Sequence, residues 1–171
     1  LISGFLSSGV NVKVLGIIPT PGVSYLTRKL KLDAGIVISA SHNSYEYNGI
    51  KIFSKNGTKI PDEMEEKIEE LLEIQKNCEK IGKLEYSFEL RKEYEKMIIN
   101  EFKDLSSELK IAIDTANGAT YEVANEVFSK LNVNYQVIFN APNGVNINNN
   151  CGSTHLDNLK KYVIEHNMDL G

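Results

Sequence analysis

A continuous apolar run, Ala34-Gly-Ile-Val-Ile-Ser39, limits the folds open to this chain more than any other stretch. Its β-branched residues favour a strand. Its lack of polar alternation is the pattern of a strand buried on both faces, as in a parallel sheet covered by helices. The neighbouring sequence agrees. Asn11–Ile18 (NVKVLGII) reads as a strand, Pro19-Thr-Pro-Gly22 as a turn and Val23–Leu30 as a short helix. Ile50–Phe53 and Thr58–Ile60 flank Lys55-Asn-Gly57, which predicts a hairpin with an Asn-Gly turn. Pro61 then opens a helix whose first turns carry Asp62, Glu63, Glu65 and Glu66, acids that complement a helix N-terminus. Met64, Ile68, Leu71, Leu72 and Ile74 continue it at roughly helical spacing.

A polar break over 76–83 precedes a second helix over about 88–102. Leu109–Asp114, Ala119–Leu131 and Tyr135–Phe139 then repeat the order strand, helix, strand. The Asn- and Gly-rich segment 140–152 reads as a loop. Thr154-His-Leu-Asp157 fits a capping box opening a helix to about His166, and Met168–Gly171 starts another strand. Strands alternating with helices predict an α/β fold: an α/β/α layering with mostly parallel, mixed sheets, in parts of two consecutive similar domains. The helix over 88–102 and the polar 103–107 form the connector, which places the two units at 1–103 and 108–171.

Composition narrows the partners. The chain has 171 residues and a net charge of −4, so bulk charge gives no reason to expect nucleic acid or an anionic membrane. No apolar run approaches the roughly 20 residues that span a bilayer. No basic n-region with a small-residue cleavage site is visible. Cys78 and Cys151 stand far apart and in no CxxC pattern, which fits free thiols in a reducing, cytoplasmic setting. The chain starts at Leu1 and stops as a strand begins, so we expect a piece of a longer protein.

The apolar run breaks off at Ser39-Ala-Ser-His-Asn43. In open α/β sheets, ligands bind beyond the carboxyl ends of strands, where this segment should lie. A small exposed hydroxyl there can serve as a nucleophile or phosphate carrier. His42 can donate to an anion, Lys51 offers a cation, and Gly49 permits close backbone approach. The plainer reading is a turn, since these residue types favour turns. A Ser41–His42 hydrolase dyad is disfavoured, because adjacent residues on an extended loop point apart and no G-x-S-x-G elbow occurs. Elsewhere, Cys151 and His155 match no four-ligand zinc spacing. Asp114 reads as a turn or cap residue, and His166 as a surface residue near a helix end.

Ser39-Ala-Ser-His-Asn43 followed by Asn48-Gly-Ile-Lys51 resembles the phosphoserine loop of the α-D-phosphohexomutases. Leu15-Gly-Ile-Ile-Pro-Thr-Pro21 and Asp62-Glu63 match as well. Asp114-Thr-Ala-Asn-Gly-Ala119, Asn146-Ile-Asn148 and Cys151-Gly-Ser-Thr-His155 resemble the bacterial phosphoglucosamine mutase branch. The resemblance runs over nearly the whole chain. It implies interconversion of glucosamine 6-phosphate and glucosamine 1-phosphate through a phosphoserine and a sugar bisphosphate. It puts the phosphoserine at Ser41 and active-site roles at His42 and Lys51. It also implies Mg²⁺ bound through Ser41, with aspartate ligands beyond the chain end, and a structural role for the Cys151–His155 segment.

Two departures accompany it. Ser44 stands where the family usually has proline, which removes a φ lock but no reactive group. The family's metal loop, arginine loop, sugar loop and C-terminal phosphate-binding domain are not in this sequence. The expectation is therefore a first domain lacking its N-terminal part, the opening of a second, and no activity from this piece alone. A truncated second sheet should leave a strand edge exposed near Leu109–Asp114 or Met168–Gly171, open to homo-oligomer formation. The alternatives are a phosphoglucomutase or phosphomannomutase of the same superfamily, or a non-catalytic α/β module that keeps the loop as an anion site.

Overall fold

A computed structural model describes residues 1–72, 74 and 80–171. Cys78 and the first half of the expected polar break lie outside the described residues. The elements in order are α1 (Ile2–Ser7), β1 (Val12–Val14), α2 (Thr20–Lys29), β2 (Ala34–Ser39), β3 (Gly49–Ser54), α3 (Asp62–Glu70), β4 (Leu84–Tyr86), α4 (Arg91–Glu101), β5 (Ser106–Asp114), α5 (Tyr121–Phe128), β6 (Asn132–Ile138) and α6 (Asp157–Glu165). A single 3₁₀ turn, Phe88–Leu90, leads into α4. The fold is mixed α/β. β1 pairs with β4 and β5 with β6 in parallel, and β2 pairs with β3 antiparallel.

Several expectations shift for identifiable reasons. The Pro19-Thr-Pro-Gly22 turn is instead the opening of α2: Pro21 falls in its first turn, where a missing N–H is no loss. The first strand is short because Gly16 turns away at φ +76, with the Phe88 ring packed against it. β4 has only three residues, too few for a pattern to register, yet it pairs with β1 from Val12↔Leu84 to Val14↔Tyr86. The Thr154 capping box does not form. A turn from Gly152 to His155 intervenes, and α6 starts at Asp157 with no side-chain cap. α3 ends at Glu70 and buries none of its residues, so its apolar residues line no core.

β2 is not buried on both faces. Residues directly opposed across an antiparallel pair point to the same face. Gly35 and Val37 form one face, packed under α2; a Cβ on Gly35 would come within 2.2 Å of Thr27 Oγ1 and 3.1 Å of Val23 Cγ1. Ile38 and its cross-strand partner Ile50 belong to the other face and are 63% and 54% exposed. Beyond β3, the Asn-Gly turn forms as expected. Ser54 N–H donates to Thr58 O at 2.8 Å, Gly57 takes φ +74, and Ser24 Oγ holds Gly57 O at 2.5 Å.

β5 is not an edge strand. It is paired with β6 on one side and bridged in parallel by Leu170 at Ile111 on the other, with Ala112 N–H donating to Leu170 O at 2.8 Å. One hydrophobic cluster runs through Ile18, Val23, Leu26, Val37, Tyr94, Val123, Val127 and Leu131. α4 lies at its centre, between α2 and α5. Arg91, at the start of α4, holds Glu95 one turn on at 3.0 Å and also pairs with Glu122 on α5.

Candidate functional site

The segment 40–48 joins β2 to β3 and is exposed, except for buried Ala40 at its root. Strand pairing runs up to Ser39↔Gly49, so the two strands carry this loop at their common end. Within it Ser41 sits at φ +57. A non-glycine residue in that left-handed region pays about 1–2 kcal/mol. Local bonds offset the strain: Ser41 N–H donates to Ser39 Oγ at 2.9 Å, and Asn43 N–H to Ala40 O at 3.1 Å. The backbone is therefore tightly turned at Ser41 rather than extended. Ser41 Oγ and His42 Nδ1 lie 3.3 Å apart, within hydrogen-bond reach.

Past them the loop is braced by its own side chains. Asn48 Nδ2 donates to Tyr45 O at 3.1 Å, and Tyr47 N–H to Ser44 O at 3.1 Å. The Ser44 hydroxyl holds the Glu46 carboxyl below its ordinary range. Lys51 lies on β3 opposite Val37, and is half-buried. No hydrogen bond or ion pair among the described residues joins it to Ser41 or His42. The structure thus brings Ser41 and His42 together and leaves Lys51 on the adjoining strand.

One contact was not foreseen. Asn148 Nδ2 donates to Ser41 O at 3.0 Å and to Asn43 O at 2.8 Å. Asn148 comes from the 140–152 loop that follows β6. The Asn-Ile-Asn motif marked it as notable, but local pattern gives no sign of a partner 105 to 107 residues away. That loop is itself anchored. Asn148 takes φ +57 and its N–H donates to Ala116 O at 3.0 Å. Asp114, at the end of β5, accepts from Ala116 N–H and from Gly152 N–H, both at 2.7 Å. Asp114 is thus the turn residue expected of it.

Cys151 is fully buried, with Asn117 Nδ2 3.9 Å from its sulfur, and burial pushes its thiol pKa up. His155 is exposed. His166 stacks on Tyr162, ring centroids 3.9 Å apart, at the end of α6. No group of three or more His, Cys, Asp or Glu among the described residues is placed to hold a metal ion. Mg²⁺ requires a near-octahedral set of oxygens, and Ser41 Oγ alone does not make one. A surface recess of about 620 Å³, lined by Arg91, Tyr121, Glu122, Asn125, Tyr135 and Asn140, includes none of Ser41, His42 and Lys51.

Comparison with known proteins bears on this loop. Residues 1–78 match the family described as phosphoglucomutase/phosphomannomutase, alpha/beta/alpha domain I. The chain is 49% identical over 178 residues to the phosphoglucosamine mutase of Acetivibrio thermocellus, covering 100% of this chain and 39% of that protein. It is 48% identical over 181 residues to the phosphoglucosamine mutase of Clostridioides difficile, covering 100% of this chain and 40% of that one. A solved phosphoglucomutase/phosphomannomutase family protein from Burkholderia thailandensis superposes with a TM-score of 0.76 at 24% identity, over 95% of this chain and 36% of its own. That last likeness concerns the fold. The chain spans about 40% of the length of the curated relatives it matches.

Proposed function

We propose, for a chain that belongs to the phosphohexomutase family, that it carries the phosphoserine loop of an enzyme interconverting glucosamine 6-phosphate and glucosamine 1-phosphate. The observation that carries this reading is the exposed Ser41, held at φ +57 at the shared end of β2 and β3 with His42 against its hydroxyl. Phosphoryl transfer asks a protein for positioning and for positive charge near the phosphoryl oxygens, with little covalent help.

On this reading Ser41 is the phosphoryl carrier. The P–Oγ bond of phospho-Ser41 breaks as a P–O bond forms to a sugar hydroxyl oxygen, and the hydroxyl proton ends on Oγ. The resulting sugar bisphosphate reorients, the P–O bond to its other phosphate breaks as a P–Oγ bond forms, and the proton on Oγ passes to the sugar oxygen released. A phosphoserine carries about −1.5 to −2 charge near neutral pH, so cationic donors must face it. His42, 3.3 Å from Oγ, is in reach of the phosphoryl oxygens. Lys51 supplies charge from β3. Mg²⁺, held in part by phospho-Ser41, would add charge neutralisation.

Residues 1–103 then form most of the family's first domain and 108–171 the opening of its second. The partners are a phosphosugar and a sugar bisphosphate, and the compartment is the cytoplasm. No described helix is long and apolar enough to cross a membrane.

The test uses the full-length protein. Turnover of glucosamine 6-phosphate with a bisphosphate activator should be lost in Ser41→Ala, and intact-mass measurement should find one phosphoryl group on the native protein but not on the variant. Turnover that survives Ser41→Ala would overturn the reading. Residues 1–171 alone should give none. The family match names phosphoglucomutase and phosphomannomutase, so glucose and mannose phosphates belong in the same assay as competitors. Anion binding that outlasts Ser41→Ala, with no turnover in the native protein, would favour a non-catalytic module.

A further inference from the structure

The residue facing Ser41 from the second unit is Asn148. Its single amide nitrogen carries two N–H groups, and each is committed to a main-chain carbonyl of the serine loop: Ser41 O at 3.0 Å and Asn43 O at 2.8 Å. Both distances are ordinary for strong N–H···O bonds. The two carbonyls flank His42. One side chain therefore fixes the peptide unit between Ser41 and His42 and the one after Asn43, and with them the turn that carries Oγ and the imidazole.

Asn148 is a half-buried loop residue that is held through its backbone as well. Its N–H is tied to Ala116 O at 3.0 Å. The residues on either side of this tie, Ala116 and Gly152, share the two carboxylate oxygens of Asp114 at 2.7 Å each. Gly152 sits at φ +78, and a Cβ there would come within 2.8 Å of Ala116 Cβ and 3.2 Å of Asn148 Oδ1. The anchor thus runs from the end of β5 through Asp114 to the Asn148 amide and on to the serine loop.

We infer that Asn148 is a positioning residue for Ser41: it clamps the serine loop across the two units so that Oγ meets the phosphoryl acceptor in line. This rests on the phosphoryl-carrier reading of Ser41. A displacement near 1 Å at a reacting atom can slow a reaction about 100-fold. The amide also occupies two carbonyl lone pairs beside the site of a dianionic group, which would otherwise add to the negative charge there.

The test compares Asn148→Gly and Asn148→Asp in the full-length protein. Both residues tolerate a left-handed φ, so neither forces the backbone to change. Glycine removes the amide. Aspartate keeps the shape but sets carboxylate oxygens against two carbonyl oxygens. We expect kcat to fall about 10- to 100-fold in Asn148→Gly and further in Asn148→Asp, with KM for the sugar phosphate changed less than about threefold. Single-turnover transfer of a phosphoryl group from glucose 1,6-bisphosphate to Ser41 should slow by the same factor. Melting temperatures taken alongside remove folding from the comparison.

A purely structural role predicts a lower melting temperature with native kcat and native transfer rate well below it. That result, or kcat unchanged in both variants, would overturn the clamp. If aspartate prevents folding, glycine still decides. Native enzyme whose turnover survives Ser41→Ala marks failure of the carrier reading. Native enzyme dependent on Ser41 yet indifferent to Asn148 marks failure of the clamp alone.

Discussion

Gly35 shows how a single atom can be excluded from this fold. Thr27 is 1% exposed and its hydroxyl already donates to Val23 O at 2.8 Å. An added methyl at Gly35 would overlap that oxygen, so either α2 lifts from β2 or Thr27 loses its rotamer. Gly35→Ala should destabilise the protein by about 1–3 kcal/mol, the usual penalty for overpacking, with a lower denaturant midpoint as the measured sign. Wild-type stability in that variant would mean that α2 can shift freely. The need for glycine here was not legible in AGIVIS, where it looks like one more apolar position. Ser41 and His42 stand out only through the resemblance of their loop to a phosphoserine loop, since by residue type alone a turn is the plainer reading. The left-handed φ of Ser41 was not legible, and that angle is what brings the hydroxyl and imidazole together.

Among elements, α4 ties the chain together, and Arg91 is its critical contact. Glu95 is only 3% exposed, and Arg91 stands 3.0 Å from its carboxylate. Arg91→Ala would leave a buried carboxylate without its cation, a loss of about 3 kcal/mol or more. The double change Arg91→Met with Glu95→Leu should recover most of this, since apolar residues of similar size commonly replace a buried pair at little loss. Thermal unfolding of the two variants checks both expectations, and a double variant as unstable as the single one would mean that the link to Glu122 dominates. The helix itself was readable from 88–102. Its burial of Tyr94 and Glu95 between α2 and α5 was not, because sequence periodicity marks an apolar face without saying what covers it. The same limit explains β2, whose second face was taken as buried and carries Ile38 in the open.

Over the whole molecule, surface ion pairs contribute to the response to acid. Glu93 is held below its ordinary carboxyl range first by Lys29, then by Lys96, and Glu85 by Lys13 and Ser87. A depressed carboxyl adds stability above its unfolded value, and that contribution disappears as pH falls through the folded value. Melting temperature should therefore drop as pH is lowered below about 4.5, and Glu93→Gln should flatten that slope slightly, since these exposed pairs are individually weak. A slope unchanged by Glu93→Gln would exclude the pair from the acid response. The α/β class and the strand–helix alternation were open to sequence reading because they rest on local pattern, whereas the bonds of Asn148 to the serine loop join residues 105 to 107 positions apart. That separation also has a meaning in time. The ribosome releases Ser41 107 residues before Asn148. At roughly 5–20 residues per second, the wait is about 5–20 s. For that interval the nascent serine loop exists without its partner, so the order of synthesis keeps the loop unfinished until the Asn148 segment has emerged to complete it.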